Sequence, residues 1–237
     1  MTRRRWIADE VVGDRAALTG EHAAHLSRVL RVQKGQEFDV ACGEVVRRGI
    51  VATVSDERVE FELREELAAS EAVPVTLLLS VFKFDRMEWA IEKCTELNVT
   101  SIIPVIARRT EKHLALAADK RVERWRRIAR EAAQQSRRVT VPEIGEPVRL
   151  ADALTVEASL RIVLSETEKE SQLLDVLRER AGISSLALAI GPEGGWAPEE
   201  LQLFGNAGWV SASLGATILR AETAAIAALA IARAEIG

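Results

Sequence analysis

Two glycine-bearing segments near the C-terminus contain the residues best suited to chemistry. The first is Gly-Pro-Glu-Gly-Gly at 191–195, directly after a short apolar run. The second is Leu-Gly at 214–215, which continues into Leu-Arg-Ala-Glu-Thr at 219–223. Glycine permits tight turns and lets the backbone approach a ligand closely. Parallel strands that end in such loops form a crevice at the carboxyl edge of their sheet, so the segments predict one shared binding pocket.

Arg220 and Glu222 are the candidate catalytic residues. A guanidinium is a permanent cation with five N–H donors, so Arg220 can hold a carbonyl or phosphate oxygen. Glu222 is either the base of a proton transfer or the group that orients Arg220. An ion pair between the two that only fixes the start of a helix is the structural alternative. We favour catalysis because Arg220 follows a predicted strand end, where ligands bind in such sheets.

Three common glycine motifs are absent from the chain. No Gly-x4-Gly-Lys-Ser/Thr segment is present, which excludes a P-loop nucleotidase. No Gly-x-Gly-x-x-Gly segment follows the first α/β strand, which argues against a Rossmann dehydrogenase. No Gly-x-Ser-x-Gly elbow is present for a hydrolase triad. The loops are therefore expected to enclose a small ligand through backbone contacts.

Residues 1–71 are predicted to form a small β-rich domain. Strand periodicity is present in three short runs, at 37–42, 48–54 and 59–63. A helix is predicted near 19–30, with Ala23, Leu26 and Val29 on its apolar face. The polar, alanine-containing segment at 65–74 is typical of a linker. We therefore expect a compact β-barrel with one short helix.

Residues 73–237 alternate strands with helices, which predicts an α/β domain. Its strands are predicted at 75–82, 101–106, 160–164, 185–190 and 209–211. The first helix of this domain is predicted to begin with a capping box of Asp85 and Glu88 and to end at a left-handed Asn98. The alanine-rich segment 221–236 is almost free of charge, which indicates a helix buried in its own domain or against a second subunit.

The charge distribution differs from the net charge. The formal net charge of −4 argues by itself against a nucleic-acid binder. However, the chain opens with Arg3, Arg4 and Arg5, and residues 120–138 hold eight basic against two acidic side chains. Such patches can engage phosphates on an acidic protein. A solvated helix face is an equally supported interpretation of the 120–138 run.

The absence of targeting and metal-binding motifs from the sequence bears on the compartment of the protein and on its metal content. It shows no apolar signal segment and no apolar run long enough to span a bilayer. Cys42 and Cys94 are widely separated, which fits free thiols in a reducing compartment. Neither cysteines nor histidines fall at metal-ligand spacing. We therefore expect a cytoplasmic protein that uses no metal.

The two glycine segments resemble those of the RsmE family of SPOUT RNA methyltransferases. Further similar segments cover essentially the whole chain in order, including His25-Leu26, Lys83 with Glu88, Glu96-Leu97-Asn98-Val99 and Gln134-Gln135-Ser136-Arg137-Arg138. The resemblance implies methylation of N3 of a uridine in small-subunit (16S) ribosomal RNA, with S-adenosylmethionine as methyl donor. It also implies a PUA-like β-barrel at 1–71, a SPOUT α/β-knot domain at 73–237 and a homodimer. Ala197 departs from the family, since a hydroxyl residue there would cap the following helix.

The resemblance also assigns binding residues. It places the donor in a pocket lined by 164–166, 190–195 and 214–219, and the candidate donor-binding residues are Leu164, Ser165, Glu166, Ile190, Gly191, Pro192, Glu193, Gly194, Gly195, Leu214, Gly215, Ile218, Leu219 and Thr223. Glu193 has two equally supported interpretations, a substrate contact or a cap for backbone amides, and Thr223 can instead bond its own helix. RNA phosphates are expected at Arg3, Arg4, Arg5, Arg28, Arg31, Arg137 and Arg138. The chain has no tyrosine, so base stacking would depend on Trp6 or Trp196.

Two other functions fit the same residues. One is a non-catalytic RNA-binding protein of ribosome assembly, in which the ligand domain has degenerated. The other is a SPOUT methyltransferase that acts on another base or on transfer RNA. Binding of S-adenosylmethionine separates the first alternative from the main hypothesis, and mass spectrometry of the methylated RNA separates the second.

Overall fold

The computed structural model of the protein describes residues 5–43, 45–67, 72–136 and 138–236. Contacts between residues divide the chain into two compact units. The first unit is Met1–Glu71 with Ala133–Val141, and the second is Ala72–Ala132 with Pro142–Gly237.

The segment Ala133–Val141 belongs to the first unit, whereas the sequence placed it in the second domain. Ala133, Val139 and Val141 form an apolar cluster with Ile7 and Ala41. Removing these side chains from water favours the association. Its partners lie about a hundred residues earlier in the chain, so local periodicity gave no sign of this packing.

The first unit is built on a six-stranded sheet. Its strands are β1 (Arg5–Ile7), β2 (Glu10–Val12), β3 (Arg15–Thr19), β4 (Glu37–Cys42), β5 (Val45–Val54) and β6 (Arg58–Leu67). They follow the order β1-β4-β5-β6-β3-β2, with β1 parallel to β4 and the other neighbours antiparallel. Val59, Phe61 and Leu63 alternate into the core while Glu62 is exposed, as a half-buried strand requires.

The helix of the first unit is short and irregular. It comprises α1 (Gly20–Ala24) and a π-helical turn at His25–Val29. Ala23 and Leu26 are buried as predicted, but Val29 is exposed. A π-helical turn has a wider repeat than an α-helix, so a spacing of three no longer returns to the same face.

The second unit is a parallel sheet flanked by helices. Its elements are β7 (Val75–Ser80), α2 (Phe84–Glu96), β8 (Ser101–Ile106), α3 (Lys112–Ala117), α4 (Val122–Gln135, ending in the first unit's segment), β9 (Glu143–Ile144), β10 (Val148–Arg149), α5 (Leu150–Ala153), β11 (Leu160–Leu164), α6 (Leu173–Arg178), β12 (Leu186–Ile190), α7 (Pro198–Asn206), β13 (Val210–Ala212) and α8 (Ala221–Ile236). The strand order is β10-β8-β7-β12-β11-β13, and β9 also pairs with β8. Every pair in this sheet is parallel. All five residues of β12 are buried, as expected for a strand covered on both faces.

Helix α8 is packed inside its own unit along one face. It contacts α2, α6 and β12 through a stripe of small and aliphatic residues that includes Ala225, Ala228 and Leu229. Arg233 donates hydrogen bonds to the carbonyl oxygens of Val73 and Asn98. The low charge of this helix is thus explained in part by burial in its own unit, as predicted.

Different interactions define the two ends of α2 and the start of α7. Asn98, with φ of 64°, takes the predicted left-handed conformation after α2. The predicted capping box at Asp85 is wrong, because Lys83 is the N-cap and no side chain caps this helix. Ala197 is the N-cap of α7, and Glu200 Oε2 accepts a hydrogen bond from its N–H at 2.8 Å. That bond offsets part of the missing hydroxyl cap.

Cys94 is expected to be inert towards thiol reagents. It is fully buried on α2, and burial raises the pKa of its thiol to about 12 because the thiolate loses solvation. At pH 8 the folded protein should therefore react with iodoacetamide at Cys94 only after unfolding, because the thiolate is the nucleophile. Peptide mass spectrometry of alkylated native and urea-unfolded protein measures this. Rapid native labelling of Cys94 would contradict the assignment.

Candidate active site

One pocket of about 270 Å³ lies at the carboxyl ends of three neighbouring strands, β11, β12 and β13. It is lined by Leu164, Ser165, Glu166, Ile190, Gly191, Pro192, Glu193, Gly194, Gly195, Ser213, Leu214, Gly215, Thr217, Ile218, Leu219, Ala221 and Ala224. Parallel sheets bind ligands at this edge. The two glycine segments therefore converge on one cavity, together with the end of β11.

Most of the residues that the resemblance assigned to the donor line this pocket. The exception is Thr223, which is exposed on α8 and is not among the lining residues. Ser213, Ala221 and Ala224 also line the pocket and were not predicted, whereas Thr217 lies in the predicted 214–219 loop. They are neighbours of predicted residues, so treating each glycine segment as a whole would have found them.

The first glycine segment folds as a tight turn. Gly195 has φ of 68°, and its N–H donates to the carbonyl of Pro192 at 2.8 Å. A Cβ at Gly195 would lie 2.1 Å from Oε1 of Glu166, another pocket residue. A Cβ at Gly191 would lie 3.2 Å from Nε1 of Trp196. Glycine is thus required by backbone conformation at one position and by close packing at the other.

Trp196 links this turn to the end of the neighbouring strand β11. Its indole N–H donates to the carbonyl of Leu164 at 3.1 Å, and its ring packs edge-on against Phe204 at a centroid distance of 4.9 Å. Trp196 is only 3% exposed and Trp6 is 9% exposed. The prediction that either tryptophan offers a stacking surface for a base is therefore wrong. Both rings contribute to the interior.

Replacing Trp196 with phenylalanine is expected to destabilise the fold. A smaller aromatic ring remains, but the Leu164 carbonyl loses its buried donor, which costs about 1–3 kcal/mol. Equilibrium urea unfolding should show this loss in the free energy of unfolding. Trp209 provides the control, because it is also buried but its indole N–H donates to no described residue, so Trp209→Phe makes the same ring change without losing a hydrogen bond and should be less destabilising. Equal stability of Trp196→Phe and the wild type would contradict the role.

Two arginines from elsewhere in the unit also hold the turn. Arg109 donates from Nη1 to the carbonyl of Gly194 at 2.7 Å. Arg86, on α2, donates from Nη1 to Oε1 of Glu193 at 2.9 Å. Glu193 thus pairs with a guanidinium and accepts no hydrogen bond from a backbone amide of the described residues, so the interpretation of Glu193 as a cap for backbone amides is wrong. Sequence reasoning missed both arginines because they lie 85 and 107 residues from their partners.

Arg220 immediately precedes α8 and Glu222 is the second residue of that helix, but the two side chains do not pair. Arg220 is exposed, and its side chain makes no hydrogen bond or ion pair with any described residue. The alternative of an Arg220–Glu222 ion pair is therefore wrong. Glu222 is 5% exposed, and its Oε1 lies 3.8 Å from Nε of Arg86. Its buried Oε2 accepts no hydrogen bond within the described part of the chain.

The predicted phosphate-binding arginines differ in placement. Arg3, Arg4 and Arg137 lie outside the described residues, and Arg5 lies in β1. Arg28 and Arg31 are exposed. Arg138 is only 7% exposed and clusters with the first unit, so its guanidinium is not presented to a phosphate as predicted.

Arg28 already has an anionic partner on the first unit. Its Nη2 lies 2.8 Å from Oδ2 of Asp56. Hydrogen bonds from Arg28 and Ser27 lower the pKa of Asp56, because they favour its charged form. A phosphate at Arg28 must compete with this carboxylate.

The basic run on α4 is largely ion-paired within the second unit. Arg124 Nε lies 2.7 Å from Glu88 Oε1, and Arg126 Nη1 lies 2.6 Å from Glu123 Oε1. Arg126 also reaches Glu146 at 2.8 Å. These pairs support the interpretation of a solvated helix face over that of a free phosphate-binding surface.

The described residues contain neither a metal-binding cluster nor a membrane span. No group of three or more histidine, cysteine, aspartate or glutamate side chains among them is arranged to hold an ion. Likewise, none of the described helices is both long and apolar enough to cross a bilayer.

Comparison with known proteins identifies relatives of this chain. Residues 69–233 match a family described as the RNA methyltransferase domain. The ribosomal RNA small subunit methyltransferase E of Synechocystis sp. is 32% identical over 226 residues, which covers 94% of this chain and 74% of that protein. The protein of the same name from Aquifex aeolicus is 35% identical over 211 residues, with coverage of 86% and 88%.

A solved structure shares the fold. The ribosomal RNA small subunit methyltransferase E of Neisseria gonorrhoeae, bound to S-adenosyl methionine, superposes with a TM-score of 0.83 at 30% identity. The match covers 97% of this chain and 96% of that chain. The predictions of an α/β fold and of an RNA methyltransferase are confirmed, and the chain belongs to the ribosomal RNA small subunit methyltransferase E family.

Proposed function

We propose that this chain uses S-adenosylmethionine to methylate N3 of one specific uridine in small-subunit ribosomal RNA. Family membership supports the reaction on ribosomal RNA, and the donor-bound Neisseria structure supports the cofactor. The sequence resemblance supports the uridine N3 atom as acceptor. The observation that carries the proposal is the convergence of both glycine segments on one pocket at the carboxyl edge of the parallel sheet.

The pocket suits this donor in size, lining and charge. Its volume is near the lower end of the range for small-molecule sites, about 300–1,000 Å³. Leu164, Ile190 and Leu214 supply apolar walls for an adenine, and the glycine turns let backbone groups reach its edge. The carboxylate of Glu166, a pocket residue, favours a cationic ligand. S-adenosylmethionine, when bound, supplies an electrophilic methyl group on a positively charged sulfur.

The acceptor determines what the protein must add. N3 of uracil carries a proton between two carbonyl groups, and that proton must leave before or during methyl transfer. The site therefore needs a proton acceptor and a cation for the negative charge that spreads onto O2 and O4. It must also hold the nitrogen in line with the methyl group.

We assign the proton acceptor to Glu222 and the cation to Arg220. Oε2 of Glu222 accepts no hydrogen bond from a described residue, so this buried atom, next to pocket residue Ala221, has an unused acceptor position for an N–H donor. Arg220 does not pair with Glu222, which argues against Glu222 as its orienting group. Arg220 is exposed between Leu219 and Ala221, both pocket residues, so its guanidinium can meet a nucleotide that enters from solvent.

We further propose the finer architecture implied by the resemblance. The six-stranded sheet supports a PUA-like barrel at 1–71, and the parallel sheet supports a SPOUT α/β-knot domain at 73–237. The charge-poor α8 and the exposed Trp89 on the adjoining α2 support a homodimer. Arg5, Arg28 and Arg31 are the described residues that we assign to RNA phosphates, and the enzyme acts in the cytoplasm with its substrate.

A methyl-transfer assay with a deuterated donor tests the reaction. Small-subunit ribosomal RNA, free or assembled into subunits, is incubated with the protein and digested to nucleosides for mass spectrometry. We expect deuterated 3-methyluridine at a single position. Another methylated nucleoside would establish a different acceptor, and donor binding without transfer to either substrate would favour a non-catalytic assembly protein.

A further inference from the structure

Arg86 is a charged residue of the second unit to which the proposed reaction assigns no role. It lies on α2, at the first turn, and its side chain is 31% exposed. Its Nη1 donates to Oε1 of Glu193 at 2.9 Å, and its Nε lies 3.8 Å from Oε1 of Glu222. One guanidinium thus contacts the pocket turn and the start of α8 at the same time.

The carboxylates of Glu193 and Glu222 occupy different positions in the site. Glu193 lines the pocket in the turn after β12. Glu222 is buried beside it, at the start of the helix that follows the second glycine segment. Among the described residues, Arg86 is the cation within ion-pair distance of Glu222. Burying a carboxylate away from water is costly unless it has such a partner.

The geometry of the guanidinium makes Arg86 suited to fix both groups. Its donors form a rigid planar fork, so a bond through Nη1 to Glu193 also sets the direction of Nε towards Glu222. A shift of the pocket turn therefore moves the charge that faces Glu222. A lysine has a single rotatable ammonium and can serve only one of these partners well.

We propose that Arg86 is a positioning residue that couples donor binding to the alignment of Glu222. The guanidinium holds the pocket turn in its donor-binding shape through Glu193. Through the same guanidinium it directs Glu222 at the acceptor nitrogen. This inference rests on the proposed function, because it assumes that the pocket binds S-adenosylmethionine and that Glu222 accepts the proton.

A double-mutant cycle on donor affinity tests the first half of the coupling. Isothermal calorimetry with S-adenosylmethionine compares the wild type, Arg86→Met, Glu193→Gln and the double variant. Loss of a charge-assisted bond should raise Kd about tenfold in each single variant. Because both variants remove the same contact, the double variant should bind no more weakly than the weaker single variant. Multiplying effects would overturn the inference.

A second double-mutant cycle, measured on kcat at saturating donor, tests whether Arg86 aligns Glu222. Arg86→Met should lower kcat about tenfold or more in the wild-type background, and should have no further effect when Glu222 is already replaced by glutamine. Arg86→Lys should restore part of kcat and little of the donor affinity. A merely structural role would instead lower thermal stability and leave both cycles additive, which would overturn the proposal.

Lys93→Met is the matched control on the same helix. Lys93 is also 31% exposed, and it pairs only with Glu92 and Glu96 among the described residues, so the variant loses the same charge outside the pocket. It should bind and turn over like the wild type, and an equal loss in Lys93→Met would overturn the inference. A wild-type chain that binds no S-adenosylmethionine would refute the proposed function itself, and this inference with it. A wild-type chain that binds and methylates while the cycles are additive refutes the inference alone.

Discussion

Arg220→Ala is expected to lower kcat about 10²–10³-fold, the usual cost of removing one electrostatic group that stabilises developing charge. Donor affinity should change little, because Arg220 itself does not line the pocket. The fold should be retained, because the exposed side chain makes no hydrogen bond or ion pair with a described residue. Methyl transfer at saturating donor, calorimetry with the donor and thermal unfolding measure these three quantities.

Two further variants give this prediction its controls. Arg220→Lys keeps the charge but loses the planar fork, so it should recover only part of kcat. Arg180→Ala removes another exposed arginine of the second unit that does not line the pocket, and it should turn over normally. If Arg220→Ala retained kcat within about tenfold of the wild type, Arg220 would not be the stabilising cation.

Gly191→Ala is expected to weaken donor binding with little change in chemistry once the donor is bound. The new methyl group would lie 3.2–3.4 Å from three atoms of the Trp196 indole, which is buried, hydrogen-bonded to Leu164 and packed on Phe204. The ring cannot retreat, so the turn must move. Overpacking of this kind costs about 1–3 kcal/mol, which corresponds to roughly 5- to 150-fold in Kd.

Gly205→Ala is the matched control for the same added methyl group. Gly205 lies near the end of α7, is exposed, and its Cβ position has no atom within 4 Å. This variant should bind the donor normally and gain about 0.5–1 kcal/mol of stability, because alanine restricts the unfolded chain in a helix. Unchanged donor affinity in Gly191→Ala would show that the turn adapts and that the pocket does not depend on its present shape.

The parts of the fold that follow from local pattern were predictable. Helix α8 spans the predicted 221–236, and β8 and β11 have their predicted bounds. The short strands β1, β2, β9 and β10 have three residues or fewer, too few for a periodic signal. The position of the pocket was also predictable, because glycine turns after buried strands are a local signal.

The contacts that hold the site together were not predictable from pattern. Glu193 is paired with Arg86, and Gly194 with Arg109, across more than eighty residues of sequence. Arg138 is buried, although the basic residues at 120–138 predicted an exposed surface there. In each case the partner is set by how distant elements pack, and a single sequence carries no record of that packing.

A crystal structure of the protein grown with S-adenosylhomocysteine, the demethylated donor, tests the central claim most directly. We expect the ligand in the cavity at the ends of β11, β12 and β13, with its adenine against Ile190 and Leu214. The sulfur should face the opening beside Arg220. Ligand density elsewhere on the protein, with this cavity empty, would contradict the account.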